Sequence, residues 1–297
     1  MPTPARVLQG VRILSVALNL PGPAALMRCR RMGASCTKLE PPQGDPMAHY
    51  NQAAYGELHE GVKVHNADLK TPAGQKALHE QLAKTDILLT SFRPSALPKL
   101  GLDWKELHTR YPSLCHVAIV GAPGAAGDAP GHDLTYMADT GLVPGLDLPP
   151  TLYADMGGSL MASEAVLRAA LLQAARYTGS GDVHPVGEFF EVPLSDAASY
   201  LALPRHWGLT QPSGAVGGAH AGYRVYPCKD GRVAVAALEP HFAAALCAAA
   251  GVEASDVRSM LSPATHAAVA AFFLQRSRAE LEQLAQDQDI PLHTMAP

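Results

Sequence analysis

Nowhere does this sequence stay apolar for the ~20 residues that a membrane-spanning helix requires, and its opening stretch, MPTPARVLQG, lacks the apolar core of a secretory signal. A basic excess is missing too. Net charge −4 and a pI near 6.3 leave no electrostatic footprint for nucleic acid or an anionic membrane, so any anionic ligand must be gripped by a few local Lys and Arg residues. The five cysteines (Cys29, Cys36, Cys115, Cys228, Cys247) form no Cys-x-x-Cys pair and no metal-like cluster with histidine, which points to reduced thiols without a catalytic role. These absences set the expectation of a cytoplasmic protein with neither a nucleic-acid nor a membrane partner. Internal repeats and low-complexity tracts are also lacking.

What is present is an ordinary globular composition, 47% hydrophobic over 297 residues, enough for one large domain or two unequal ones. Residues 11–17, 35–40, 86–90 and 114–120 read as buried strands, and helices are expected at 24–32, from Thr71 as cap to Lys84, at 104–110 and at 160–176. Strands alternating with helices at this spacing predict an α/β fold with a parallel, Rossmann-like sheet in a large domain. The region 43–63 reads as loop-rich, a turn is expected at 178–181, irregular chain at 182–191, and a short strand running into a helix at 192–203. Gly, Pro and small residues mark 205–222 as a linker. Beyond it, 223–226 and 233–237 flank CKDG as a hairpin, and helices at 240–250 and 264–286 complete a smaller α+β domain. The domain expectation is 1–204, linker 205–222, and 223–297. The first strand is followed by ALNLPGPAA rather than GxGxxG with an acid about 20 residues on, so a Rossmann-type nicotinamide or flavin enzyme is not expected.

The stretch that concentrates chemistry is 131–158, GHDLTYMADTGLVPGLDLPPTLYADMGG. It sets His132 and Asp155 at two loop-to-helix junctions, separated by glycines and prolines that oppose regular structure. At a helix start, the carboxylate of Asp155 would cap free N–H groups and feel the macrodipole, which favours its charged form; burial would favour the neutral one. A carboxyl group pulled both ways could act as acid and as base. Read alone, Asp155 is equally a plain helix cap, and His132 a core or surface histidine.

Several separated stretches, in one order along nearly the whole chain, resemble the class III CoA-transferase (CaiB/BaiF) superfamily. They are VRILSVALNLPGPAALMRCRRMGASCTKLEPPQGDP, DLKTPAGQKAL, TDILLTSFRP, LGLDWKELHTRYPSL, GHDLTYMADTGLV, ADMGGSLMASEAVLRAAL and RVYPCKDGRVAVAALEPHF. Within that superfamily they are most similar to the α-methylacyl-CoA racemase branch. The resemblance implies an intertwined homodimer acting on an acyl-CoA thioester. It implies no metal or redox cofactor, CoA being part of the substrate. It also implies that Gly131-His132-Asp133 carries the racemase histidine, that Asp155 is the aspartate shared by racemases and transferases, and that Glu239 approaches the histidine from the partner subunit.

Inverting a centre next to a thioester carbonyl requires one group to remove a proton from Cα and another to return it on the opposite face. His132 and Asp155 suit those positions. Free N–H groups at the helix start beside Asp155 are the expected donors to the enolate oxygen, and Glu239 would orient His132, although it also fits a surface residue at a strand end. For the CoA phosphates the resemblance implies Arg93, whose planar fork suits them, and Lys38; Lys63 and Arg28 are weaker candidates, and each could instead be a solvated charge. Two other functions stay open: CoA transfer between carboxylic acids with Asp155 as nucleophile, and a shortened acyl-CoA-binding chain without turnover. The second is suggested by the ending IPLHTMAP, where the resemblance implies several dozen further residues returning to the large domain.

Overall fold

A computed structural model describes residues 6–177, 186–253 and 256–297. Backbone contacts divide the chain into two compact units, Met1–Ala202 and Leu203–Pro297.

In the first unit, β1 (Arg12–Ser15) passes through α1 (Pro21–Arg31) to β2 (Ser35–Glu40), and α2 (Pro46–Tyr50) and α3 (Gln52–Leu58) lead to β3 (Lys63–Asn66). The chain continues through α4 (Pro72–Leu82), β4 (Ile87–Thr90), α5 (Trp104–Arg110), β5 (Cys115–Val120), α6 (Asp133–Asp139), α7 (Tyr153–Tyr177), β6 (Phe189–Pro193) and α8 (Leu194–Leu201). All six strands are parallel, in the order β3-β2-β1-β4-β5-β6, which is the α/β class that the alternation predicts. Strands buried on both faces read as unbroken apolar runs, and every residue of β4 and β5 is buried. One face packs Ile13, Ile87, Leu89, Val117 and Ile119 on Leu26 of α1 and on Ala162, Val166 and Ala169 of α7. The other packs Leu14 and Leu88 on Leu78 and Leu82 of α4 and Leu107 of α5. Each such leucine or isoleucine withdrawn from water contributes about 1.5–3 kcal/mol.

Three local readings change. Residues 43–63 contain α2 and α3 and lead directly into β3, an edge strand whose only apolar residue, Val64, is half-buried. Strand β6 opens at Phe189, inside the stretch expected to be irregular; the expected turn at 178–181 and residues 182–185 lie outside the described residues. The long helix α7 starts seven residues before Leu160 and includes Gly157 and Gly158. These glycines are contact points rather than helix breakers: a Cβ on Gly158 would stand 2.3 Å from Leu194 Cδ2, and one on Gly157 would stand 3.3 Å from Ala197 Cβ. Without side chains there, α8 lies close against α7.

The second unit holds α9 (Leu203–His206), β7 (Tyr223–Cys228), β8 (Gly231–Ala236), α10 (Pro240–Ala250), α11 (Val257–Met260), α12 (Pro263–Leu274), α13 (Arg278–Gln288) and β9 (Leu292–Met295). Its sheet is antiparallel, in the order β7-β8-β9. The stretch read as a linker is folded into this unit: the Ala221 N–H donates to Met260 O at 2.9 Å, and His266 Nε2 donates to Ala219 O at 2.8 Å. The helix expected over 264–286 breaks at Ser277, whose hydroxyl accepts from the Glu280 N–H while Glu280 Oε2 accepts from the Ser277 N–H, a reciprocal cap that starts α13 afresh. Among the described residues, no helix is long and apolar enough to cross a membrane.

Candidate active site

The strand order of the parallel sheet reverses between β1 and β4, and the crevice outside the carboxyl ends of strands at such a switch point is where open α/β sheets receive ligands. Here the Leu18 N–H, just past β1, donates to Ser91 Oγ, just past β4, at 3.1 Å. Above this join lies a cleft of about 230 Å³ whose walls include Asn19, Arg93, His132, Tyr136 and Asp155. In place of a glycine-rich phosphate loop, the chain turns through Asn19, at φ +63°, into the proline that opens α1.

His132 precedes α6 with extended backbone, and its junction is clamped by Thr135: the Thr135 hydroxyl accepts from the His132 N–H at 3.0 Å, and the Thr135 N–H donates to His132 O at 2.9 Å. The imidazole is exposed on the cleft wall. The next residue, Asp133, is buried, and its Oδ1 accepts the backbone N–H of Asp155 at 3.0 Å, 22 residues further along. The two junctions are therefore tied to each other directly. Asp155 is the third residue of α7 rather than its cap; Asp133 supplies the capping oxygen.

That arrangement tunes the Asp155 carboxyl. Burial is the main cause raising its pKa, the negative charge of Asp133 adds to it, and His132 opposes both, leaving it at about 6 instead of 3.8. The Tyr136 phenol is also raised, by burial and then by Asp155, while Arg93 pulls it down. Its ring fits because Gly121 and Gly131 flank it: Cβ atoms there would stand 2.3 and 2.5 Å from the phenol oxygen. The expected enolate donors beside Asp155 need correction. Its own N–H is taken by Asp133 and that of Met156 by Leu152 O at 3.0 Å, so neither is free.

Of the residues expected to meet CoA phosphates, Arg93 alone lies in this cleft, exposed at its rim. Lys38 is a correction. It is wholly buried, and its ammonium lies 2.5 Å from Asp45 Oδ2, 3.0 Å from Glu40 Oε1 and 2.8 Å from His59 Nε2, which uses all three protons. Burial and then the Lys38 charge lower the pKa of His59, which favours the neutral imidazole. Glu40, Asp45 and His59 converge closely enough to suggest a metal site, but the Lys38 ammonium sits among them. Lys63 opens β3 and borders a hollow with Arg12 and Lys84 at the amino ends of the strands, away from the switch-point crevice. Arg28 donates to Ser163 Oγ at 3.1 Å.

A second hollow of about 460 Å³ shares Leu18 and Phe92 with the cleft, is otherwise mostly apolar, and carries Lys70 and Lys99. These lysines, with Asp133, Tyr136 and Asn19, escaped the sequence reading. An acid directly after the loop histidine was the one signal for Asp133, and no spacing rule links it to a helix start 22 residues away. Glu239 belongs to the second unit, exposed before α10, where its side chain makes no cap hydrogen bond.

The parallel sheet thus brings His132 and Asp155 to one cleft at its switch point. The model of CoA-transferase family III matches residues 8–296, and the chain belongs to that family. Its relatives divide between two chemistries. It is 33% identical over 205 residues to the cinnamoyl-CoA:phenyllactate CoA-transferase of Clostridium sporogenes, covering 61% of this chain and 49% of that one. It is 28% identical over 300 residues to the mouse alpha-methylacyl-CoA racemase, covering 95% of this chain and 76% of the relative. Against some of these relatives the chain spans only about half of their length. Among solved structures, a hypothetical protein of Mycobacterium tuberculosis superposes with a TM-score of 0.78 at 26% identity, over 96% of this chain and 83% of the other.

Proposed function

We propose that the chain acts on 2-methylacyl-CoA thioesters as a racemase or epimerase, exchanging the proton on Cα through an enolate. The observation that carries this reading is the pairing of His132 with Asp155 in one cleft, tied through Asp133; burial and the Asp133 charge push the Asp155 carboxyl up to about 6. A carboxyl group at that value is mostly ionised at pH 7 yet gives up its proton readily, so it serves as base in one direction and acid in the other. The imidazole takes the complementary role across the carbon. Charge released onto the thioester oxygen is met by the Tyr136 phenol on the wall, and the Arg93 guanidinium, exposed at the rim, suits a CoA phosphate. Lys70 and Lys99 around the adjoining apolar hollow suit the nucleotide end of CoA, replacing Lys38 in that role. The relatives also support CoA transfer, in which the Asp155 carboxylate attacks the thioester and His132 is dispensable. In this proposal the protein works as a cytoplasmic homodimer, and Glu239 of one copy orients His132 of the other.

The deciding experiment is incubation of a 2-methylacyl-CoA in heavy water without any acceptor acid. Deuterium uptake at Cα that is lost in His132→Ala supports the racemase. Uptake indifferent to that change removes His132 from the mechanism, and an acceptor-dependent, hydroxylamine-trappable aspartyl intermediate without uptake establishes the transferase instead.

A further inference from the structure

Asn19 and Asp289 are the two non-glycine residues described with positive φ, and Asn19, at +63°, stands on the cleft wall with His132 and Asp155. Left-handed backbone is costly for an L-residue unless something over-determines it. At Asn19 the backbone is held by one carboxylate, while the side-chain Oδ1 accepts from the Tyr50 hydroxyl at 3.4 Å. The Asn19 N–H donates to Asp45 Oδ1 at 3.1 Å and to Oδ2 at 3.2 Å. Asp45 is wholly buried and is itself fixed: Oδ2 takes the Lys38 ammonium, Oδ1 takes the Met47 N–H at 2.9 Å, and its own N–H goes to Glu40 Oε2 at 3.1 Å. Glu40 is anchored in turn by the Tyr55 hydroxyl at 3.0 Å. A buried ammonium with two carboxylates is retained at a desolvation cost, and here its outward reach is the backbone of the cleft.

We infer that Asp45 is a positioning residue for the proton-transfer cleft, the Lys38–Glu40–Asp45 network serving to lock Asn19 in the left-handed conformation that shapes the wall beside Asp155. This inference rests on the reading of the cleft as the reaction site. It concerns the backbone of Asn19 rather than its amide, which makes it separable by substitution: glycine adopts positive φ without help, and valine resists it.

The test measures kcat and KM, for α-proton exchange or for transfer, whichever the native protein performs, together with Tm. Asp45→Ala is expected to lower kcat about 30-fold with KM changed by less than about threefold, since misplacing a wall harms geometry more than binding. Adding Asn19→Gly to it is expected to restore kcat at least about tenfold while Tm stays at the Asp45→Ala value. In the otherwise native chain, Asn19→Val is expected to fall at least about tenfold below Asn19→Gly, both lacking the amide. Recovery under about twofold in the double variant, or equal rates for the valine and glycine variants, overturns the inference. Should Asp45→Ala not fold, the valine-to-glycine ratio decides alone. Native rates in His132→Ala and Asp155→Asn would refute the reading of the cleft and the inference with it, whereas loss of activity in those two with no effect at Asp45 and Asn19 refutes the positioning role only.

Discussion

The first unit contains two clusters built from nearly the same groups, and they have opposite characters. Around Lys38, one cation, two carboxylates and an imidazole are buried with their bonds complete. Around His132, that imidazole, the Asp155 carboxyl and Arg93 line one open cleft with the Asp133 carboxylate buried behind it, and among the described residues no ammonium or guanidinium is bonded to the Asp155 carboxylate. A full set of partners turns charge into a rigid support, whereas an incomplete set leaves a proton that moves near neutrality.

The largest effect that sharpens this contrast lies in the open cluster. His132→Ala is expected to slow α-proton exchange by about 10²–10⁴-fold, read by mass spectrometry of the thioester, with little change in Tm. In the closed cluster, Lys38→Met leaves two buried carboxylates uncompensated and is expected to lower the unfolding free energy by about 3 kcal/mol in urea titrations. A loss below about 0.5 kcal/mol would break the contrast. Asp155→Asn should do the opposite. Below about pH 4 the native carboxyl is protonated in both folded and unfolded chains. Between 3.8 and about 6 the unfolded chain ionises first, so native stability falls through that window and stays lower above it. The amide variant is therefore expected to gain on the order of 2 kcal/mol at pH 7.5 and nothing at pH 3.5, while losing exchange. The smallest effect is at the rim: Arg93→Ala is expected to raise KM for acyl-CoA about tenfold, with the rise shrinking for a thioester that lacks the nucleotide.

Much of this architecture was legible because it rests on long apolar segments. The runs at Ile87–Thr90 and Cys115–Val120 and the alternation around them announce a parallel sheet without any tertiary knowledge. Strand β3 was not legible because an exposed edge strand reading KVHN has no period to detect. The start of α7 was hidden because glycine reads as a breaker until the neighbouring α8 is seen filling the space. His132 and Asp155 were paired from junction chemistry and resemblance, and the structure sets both on the wall of one cleft. Lys38 was misread for a reason no linear pattern discloses: Asp45 and His59 fold back onto it and consume its protons. Asp133 was missed for the converse reason, its role being set by where a helix 22 residues later begins.

The proposed chemistry needs the Asp155 carboxyl to be pushed up to about 6 by burial and by the Asp133 charge. Titration of the Asp155 side-chain carboxyl by carbon NMR tests that directly. A midpoint at about 6 in the native chain, moving downward in Asp133→Asn, is the expected result. A midpoint near the ordinary 3.8, unmoved by that substitution, would contradict it.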